Sequence, residues 1–475
     1  MENSRGNWGS NIGFLLAAIG SAVGLGNIWG FPYKMGKNGG FAFLIIYLIL
    51  AVLVGFVIMI AEISLGRKTG KGAFGTYKEL AKGFKWVGAM AVIVPLLIMT
   101  FYSVLGAYCM EYMFVNLGDL AFHTLNMSGG DLFGAMLTNP FGCIVYTFLF
   151  MALCFLIVKG GIKDGIEKFN VVGMPTLAIM LVIVIIRSVT LPGASEGLKF
   201  MFAPNFEPLK ENFIGVLSVA GGQMFFSLSL AMGIMITYGS YLSKKENIVR
   251  NTGIIVLSDT IVAIMAGLAV LPAAFALGGE DAAMSGPKLL FITLQDVFAS
   301  MGQIGPIFGT IFYLLVLIAA MTSAISLTEV IATMYVDRCA EKGKEPNRMK
   351  ATAVICVIIF LGASVIAADG LGSNGMWVPF QNSLGVVGSF NDCWLDFVDF
   401  IAEGLLMPLG ALLMSIIVGW IIGPDKVKEE VEINGTHKFA AYGFFKFCIK
   451  FFVPVAMAFI LVGQVDGFLG LGIFS

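Results

Sequence analysis

Charge is scarce in this chain. Asp, Glu, Lys and Arg make up 12% of its 475 residues and hydrophobic residues 58%, with a mean hydropathy of +0.90. A soluble domain carries about a quarter charged residues, so an ordinary water-soluble fold is excluded. Histidine is scarcer still: His123 and His437 are the two, both in polar stretches. Neither a bis-histidine haem pair nor an HExxH metalloprotease helix can be drawn from them. The seven cysteines (Cys109, Cys143, Cys154, Cys339, Cys356, Cys393, Cys448) are scattered, mostly inside apolar runs, without a CxxC pair. They read as single buried thiols. A basic block with interleaved aromatics is missing too, and the net charge is −1, so nucleic acid is not an expected partner. The first apolar run follows a short polar start, continues too long for a signal peptide and lacks a small-residue cleavage site, so it reads as a first membrane helix.

What the chain has is apolar length. Runs that exceed the roughly 20 residues needed to cross a hydrocarbon core recur along it. Eleven spans are expected, near 9–33, 41–66, 86–116, 139–158, 164–190, 211–240, 247–275, 302–336, 350–368, 394–421 and 441–466. Residues 276–300 carry Gly278, Gly279 and Pro287 and read as an external hairpin folded over the bundle. With the N-terminus in the cytoplasm, most of the 29 Lys and Arg fall on inner segments. The outer side keeps Lys34, Lys37, Arg187, Lys199, Lys210 and Lys288, and residues 117–138 hold no Lys or Arg. That alternation obeys the positive-inside rule, and one span more or fewer would scramble it. The expected class is an all-α polytopic membrane protein with one transmembrane domain over 1–475, lipid as its surroundings, and an external C-terminus. Oligomeric state is not legible.

A helix in lipid must satisfy its own backbone hydrogen bonds, and two spans violate this. The first reads Gly20-Ser21-Ala22-Val23-Gly24-Leu25-Gly26-Asn27, then Gly30 and Pro32; the sixth reads Gly221-Gly222-Gln223, then Ser227-Leu228-Ser229-Leu230-Ala231-Met232-Gly233. Each opens a set of five helices, 9–190 and 211–421, with 441–466 as an additional helix. Interrupted helices at matching places in two halves point to a transport site built on an inverted repeat. Glycines that merely let helices pack closely are the competing reading. An unwound segment frees carbonyl oxygens for a hard cation, while adjacent half-helix N-termini aim N–H groups at an anion. Asp259, between Ser258 and Thr260 in an apolar run, is an intramembrane acid and therefore a functional candidate. Glu62 reads as an acceptor for backbone N–H groups freed in the sixth helix. Glu329 has no legible role.

The run Gly13–Pro32 with SAVGLGN at 21–27, GQMFFSLSLAMG at 222–233, MTSAIS at 321–326, Glu62–Arg67, Phe101-Tyr102 and Gly160–Glu167 together resemble the sodium:neurotransmitter symporter family, in its eleven-helix bacterial branch. The likeness runs from residue 8 to about 465. It implies a LeuT-type 5+5 inverted-repeat bundle in a bacterial-type inner membrane, importing an amino acid with sodium and without catalysing a reaction. It implies two sodium sites. The first would use Ala22, Asn27, Ser227 and a helix-7 residue, Asp259 or else Ser258. The second would use Gly20, Val23, Ala319, Thr322 and Ser323. Substrate would lie against Ala22, Leu25, Gly26, Ile98, Tyr102, Phe226, Ser229, Met232, Ser323 and Leu327. Thr322 and Ser323 have a competing role, hydrogen-bonding their own helix, and Tyr102 that of a packing aromatic.

The resemblance also marks departures. Gly30 stands where the family usually has a gate arginine, while the matching acid, Asp399, is kept; Lys34 and Lys37 are the nearby cations. The expected gate residues are Phe226 and Asp399. Ala231 stands where glycine is common. The pocket residues are apolar and lack a base, which favours a neutral, hydrophobic amino acid, and an Asp259 carboxylate beside sodium implies no chloride requirement. A sodium-independent amino-acid exchanger of the same architecture is the alternative.

Overall fold

The computed structural model describes residues 7–122, 127–283, 288–379, 393–433, 435 and 437–473. Nearly all of these are helical. Among the described residues, nine helices are long and apolar enough to cross a membrane: Phe41–Thr69, Lys82–Phe122, Pro140–Val158, Ile162–Val189, Ile248–Gly279, Gly302–Glu341, Arg348–Asp369, Trp394–Ile422 and Tyr442–Leu469. A tenth is a broken pair, Asn11–Ala22 and Gly26–Lys37, bent by 44°. The sixth region of the sequence is two shorter helices, Phe213–Ser227 and Ile234–Gly239.

Local chemistry explains both breaks. The first helix starts on Ser10, whose hydroxyl accepts from the Gly13 N–H, and ends at Val23, which has turned to extended backbone. Helix resumes at Gly26 with a π-helical turn, Gly26–Gly30, which runs on into Phe31–Lys37 with Pro32 as its second residue. In the sixth region, Ser229, Ala231 and Gly233 all have positive φ (53°, 59° and 73°). Two of these carry a Cβ, a conformation that persists only where the surroundings impose it. Glu62 is part of that imposition: its Oε1 accepts the Ala231 N–H at 2.9 Å, the role its sequence context suggested.

The broken elements lie at the centre of the bundle. Lys85–Phe122 and Gly305–Glu341 pack along each other beside them, and Phe14, Ile28, Tyr47, Ile98 and Phe225 are fully buried. On the periphery Phe148, Leu156, Ile179, Leu361 and Val455 are exposed, an apolar belt suited to lipid. Two helices run past the expected ends, to Phe122 and Glu341. The seventh continues through a kink at Gly278 and Gly279, and with Leu289–Ser300 it makes the hairpin expected over 276–300; residues 284–287, including Pro287, lie outside the described residues. So does His123, while His437 lies in a loop with its Nε2 3.0 Å from the Lys245 carbonyl. All seven cysteines are free thiols, and all but Cys339 are buried.

Candidate functional site

The two breaks face each other. The Ser229 hydroxyl donates to the Ser21 carbonyl at 2.8 Å, and Gln223 Nε2 donates to the Gly26 carbonyl at 2.6 Å. Between them a small cavity of about 20 Å³ is lined by Ala22, Gly26, Ile98, Tyr102, Phe226, Ser229, Met232, Ser323 and Leu327, nine of the ten expected substrate residues. Leu25 lines instead a larger chamber above, of about 130 Å³. Its N–H donates to the Tyr102 hydroxyl at 3.1 Å, so that phenol sits at the N-terminus of the resumed helix. Three further lining residues, Ser21, Gly24 and Ile234, complete the cavity. Phe226 borders both spaces, its ring 6.3 Å from that of Tyr102.

Beside this cavity lies a fully buried oxygen cluster. Asp259 accepts from Asn27 Nδ2 at 2.7 Å, from the Ser227 hydroxyl at 2.8 and 3.0 Å, and from the Tyr47 hydroxyl at 3.1 Å. Asn27 Oδ1 accepts from the Gly24 N–H at 3.2 Å. Asp259, rather than its half-buried neighbour Ser258, thus joins Asn27 and Ser227. The Asp259 carboxylate with the Ser227 and Tyr47 hydroxyls supplies oxygen atoms of the kind a hard cation takes, while Asn27 turns its amide nitrogen to the carboxylate and its Oδ1 to the Gly24 N–H. Tyr47 is the member that sequence reasoning missed; a tyrosine in the apolar run 41–58 looks like core packing.

On the eighth helix the Thr322 hydroxyl donates to the Ala319 carbonyl at 2.9 Å and to the Val23 carbonyl at 3.4 Å, and the Ser323 hydroxyl donates to the Ser21 carbonyl at 2.9 Å. Thr322 therefore does bond its own helix, and it also brings Val23 and Ala319 together. Each hydroxyl keeps lone pairs for a cation. Gly20 is buried nearby, where a Cβ would run into Asn170 Oδ1; that amide oxygen is buried without a partner among the described residues.

Acids and bases close the two ends. Glu329 pairs with Arg348 and accepts from Tyr241 and Thr333 at 3.2 and 3.0 Å, and Arg67 pairs with Glu430 at 2.8 Å. Toward the other end Lys34 binds Glu403 at 2.6 Å. Asp399, an expected gate residue, stands close to this pair. It lines the chamber, but the ion pair at the chamber falls on Glu403, one helical turn further along, because with Gly30 the nearest cation is Lys34.

A crossing helix bundle with two opposed helix breaks, a buried oxygen-rich cluster and a pocket beside it defines a LeuT-fold secondary transporter. The comparisons with known proteins agree. The profile of the sodium:neurotransmitter symporter family matches residues 5–129 and 137–472. The chain is 35% identical, over 98% of both chains, to an uncharacterised sodium-dependent transporter of Bacillus subtilis, YhdH. It is 25% identical to the human sodium- and chloride-dependent GABA transporter 2, over 95% of this chain and 78% of the other. Its structure superposes on the crystal structure of MhsT in complex with L-phenylalanine with a TM-score of 0.86 and 35% identity, covering 97% of this chain and 100% of MhsT. The chain belongs to the sodium:neurotransmitter symporter family: it is a multi-pass membrane protein of a family of sodium-dependent transporters, which are not enzymes.

Proposed function

We propose that this protein imports a neutral, hydrophobic amino acid together with sodium by alternating access. The observation that carries this reading is the junction of two features. A buried carboxylate cluster at Asp259, Asn27 and Ser227 adjoins a pocket whose polar edge is the Tyr102 hydroxyl and the N-terminus at Leu25. The amino acid's carboxylate would accept from that N-terminus and from Tyr102. Its side chain would lie on Ile98, Phe226, Met232 and Leu327, none of which offers a charge to an acidic or basic side chain. Met232 is pliable, which suits a range of apolar shapes.

In this reading one sodium binds at Asn27, Ser227, Asp259 and the Ala22 carbonyl. A second binds at the carbonyls of Gly20, Val23 and Ala319 and the hydroxyls of Thr322 and Ser323. Two cations and a zwitterion bring net positive charge into a dry site, which is costly without compensation. The Asp259 carboxylate offsets it at short range, so chloride is not required. The sixth element crosses with its two pieces as one interrupted span, giving eleven spans arranged as 9–190, 211–421 and the extra helix 441–466. The N-terminus is cytoplasmic and the C-terminus external in a bacterial-type inner membrane. Displacement of labelled L-phenylalanine from purified protein in sodium tests the substrate class. Leucine, tryptophan or methionine should displace it, and glutamate and lysine should not. Displacement by glutamate or lysine alone would refute it.

A further inference from the structure

Where the pocket's outer side is fastened is read from the ion pairs. Of those that join two described residues, Lys34–Glu403 is the one that ties two separate spans together toward this end; its neighbour there, Lys210–Glu207, lies within a single turn. The others sit near the opposite end of the bundle or on its loops. Lys34 is on the outer half of the broken first helix, beyond a 44° bend. Glu403 is in the tenth span, inside a π-helical stretch, Phe400–Leu406. Irregular turns of this kind are places where a helix can rearrange.

The pair stands on a partition. Beneath it is the chamber of about 130 Å³ whose floor is Phe226. On its other side is a wider cavity of about 330 Å³ reaching Lys37, Ser218 and Gln464. Tyr33, Lys34, Asp396, Asp399 and Glu403 border both spaces. One turn deeper on the first helix, and one turn outward on the tenth span, nothing bridges the two among the described residues. Gly30 has no side chain, and Asp399 Oδ1 is buried without a partner among the described residues. The Lys34 and Glu403 side chains are 15% and 12% exposed, so their attraction is far less screened than that of a surface pair.

We propose that Lys34 and Glu403 are the outer latch of this transporter, and that the chamber between the latch and Phe226 belongs to the compartment it encloses. The latch joins the hinged half of the first helix to the tenth span only when the vestibule is shut. Breaking it favours the outward-open form and speeds release of bound substrate. The latch rests on the transport reading above.

The test uses purified protein, sodium and radiolabelled L-phenylalanine, and measures the rate of release on dilution. Lys34→Gln and Glu403→Gln should each release about tenfold faster, since cutting one partner of a desolvated ion pair acts mainly on the off-rate. The double variant should be no faster than the singles, and the exchange Lys34→Glu with Glu403→Lys should restore slow release. Native release rates in the single variants, or additive effects in the double, would overturn the latch. A second measurement needs no substrate. In membranes, a Lys34→Cys, Glu403→Cys pair should be bridged by a short bifunctional thiol reagent, while either single cysteine should not. Failure to bridge would overturn the latch. If the native protein does not bind L-phenylalanine in sodium but the pair is bridged, the substrate reading fails while the closed contact between the two helices stands.

Discussion

Replacing Asp259 by asparagine keeps size and shape but removes the charge on which the proposed first cation site rests. In the native protein every hydrogen-bonding neighbour of this side chain donates to it: Asn27, Ser227 and Tyr47, at 2.7 to 3.1 Å. An asparagine would turn one of its acceptors into an NH₂ group facing those donors, so one bond is lost outright. The larger effect is on the cation. Two unit charges about 4 Å apart attract by about 4 kcal/mol at an effective dielectric constant of about 20, roughly three decades in affinity. Relaxation and water entry reduce this, and a loss of sodium affinity of about 30- to 300-fold is the expected range. The assay is the sodium concentration that gives half-maximal binding of L-phenylalanine to purified protein, native against Asp259→Asn, with thermal unfolding as a check on folding. A well-folded variant whose half-maximal sodium concentration moves by less than about threefold, or 0.7 kcal/mol, would refute the reasoning and remove Asp259 from the site.

Three further outcomes follow from the same geometry. Thr322→Val with Ser323→Ala removes both hydroxyls of the second site, and should abolish sodium-driven accumulation while the protein still inserts; undiminished sodium stimulation would show that those hydroxyls serve only the carbonyls of Ala319 and Ser21. Tyr102→Phe should weaken substrate binding by about 10- to 150-fold, the worth of a hydrogen bond to a charged group, and binding isotherms that shift by less than about twofold would reduce Tyr102 to packing. Substituting gluconate for chloride should leave uptake unchanged; a collapse would mean that Asp259 does not supply the compensating charge.

The parts of the site that were legible in the sequence are those where a residue breaks a rule of its surroundings. Small and polar residues in the middle of the first and sixth spans announce the breaks, because lipid tolerates unsatisfied backbone poorly. Asp259 and Glu62 stand out as acids in apolar runs, and each is found hydrogen-bonded at the broken helices. Residues that obey the rules stay hidden. Tyr47 and Asn170 each look like ordinary residues of a helix face, and only the packing of the second span against the sixth and seventh, and of the fifth against the first, sets them beside Asp259 and Gly20. The partner of Lys34 was hidden for a different reason. Asp399 and Glu403 lie one turn apart, and which of them meets the lysine depends on how the first and tenth helices pack, a three-dimensional fact. Helix ends were misjudged where apolar character stops but the backbone has no reason to unwind, as beyond Asn116 and beyond Val336.

If the Asp259 cluster and the pocket beside it act together, sodium binds and moves with the amino acid. The direct test is uptake of L-phenylalanine into proteoliposomes under an inward sodium gradient, against equal potassium and against a sodium gradient collapsed by an ionophore. Sodium-coupled import gives accumulation above the external concentration with the sodium gradient alone, and only equilibration or none in the other two. Uptake of equal rate and extent in all three would contradict it, and would point to a sodium-independent exchanger.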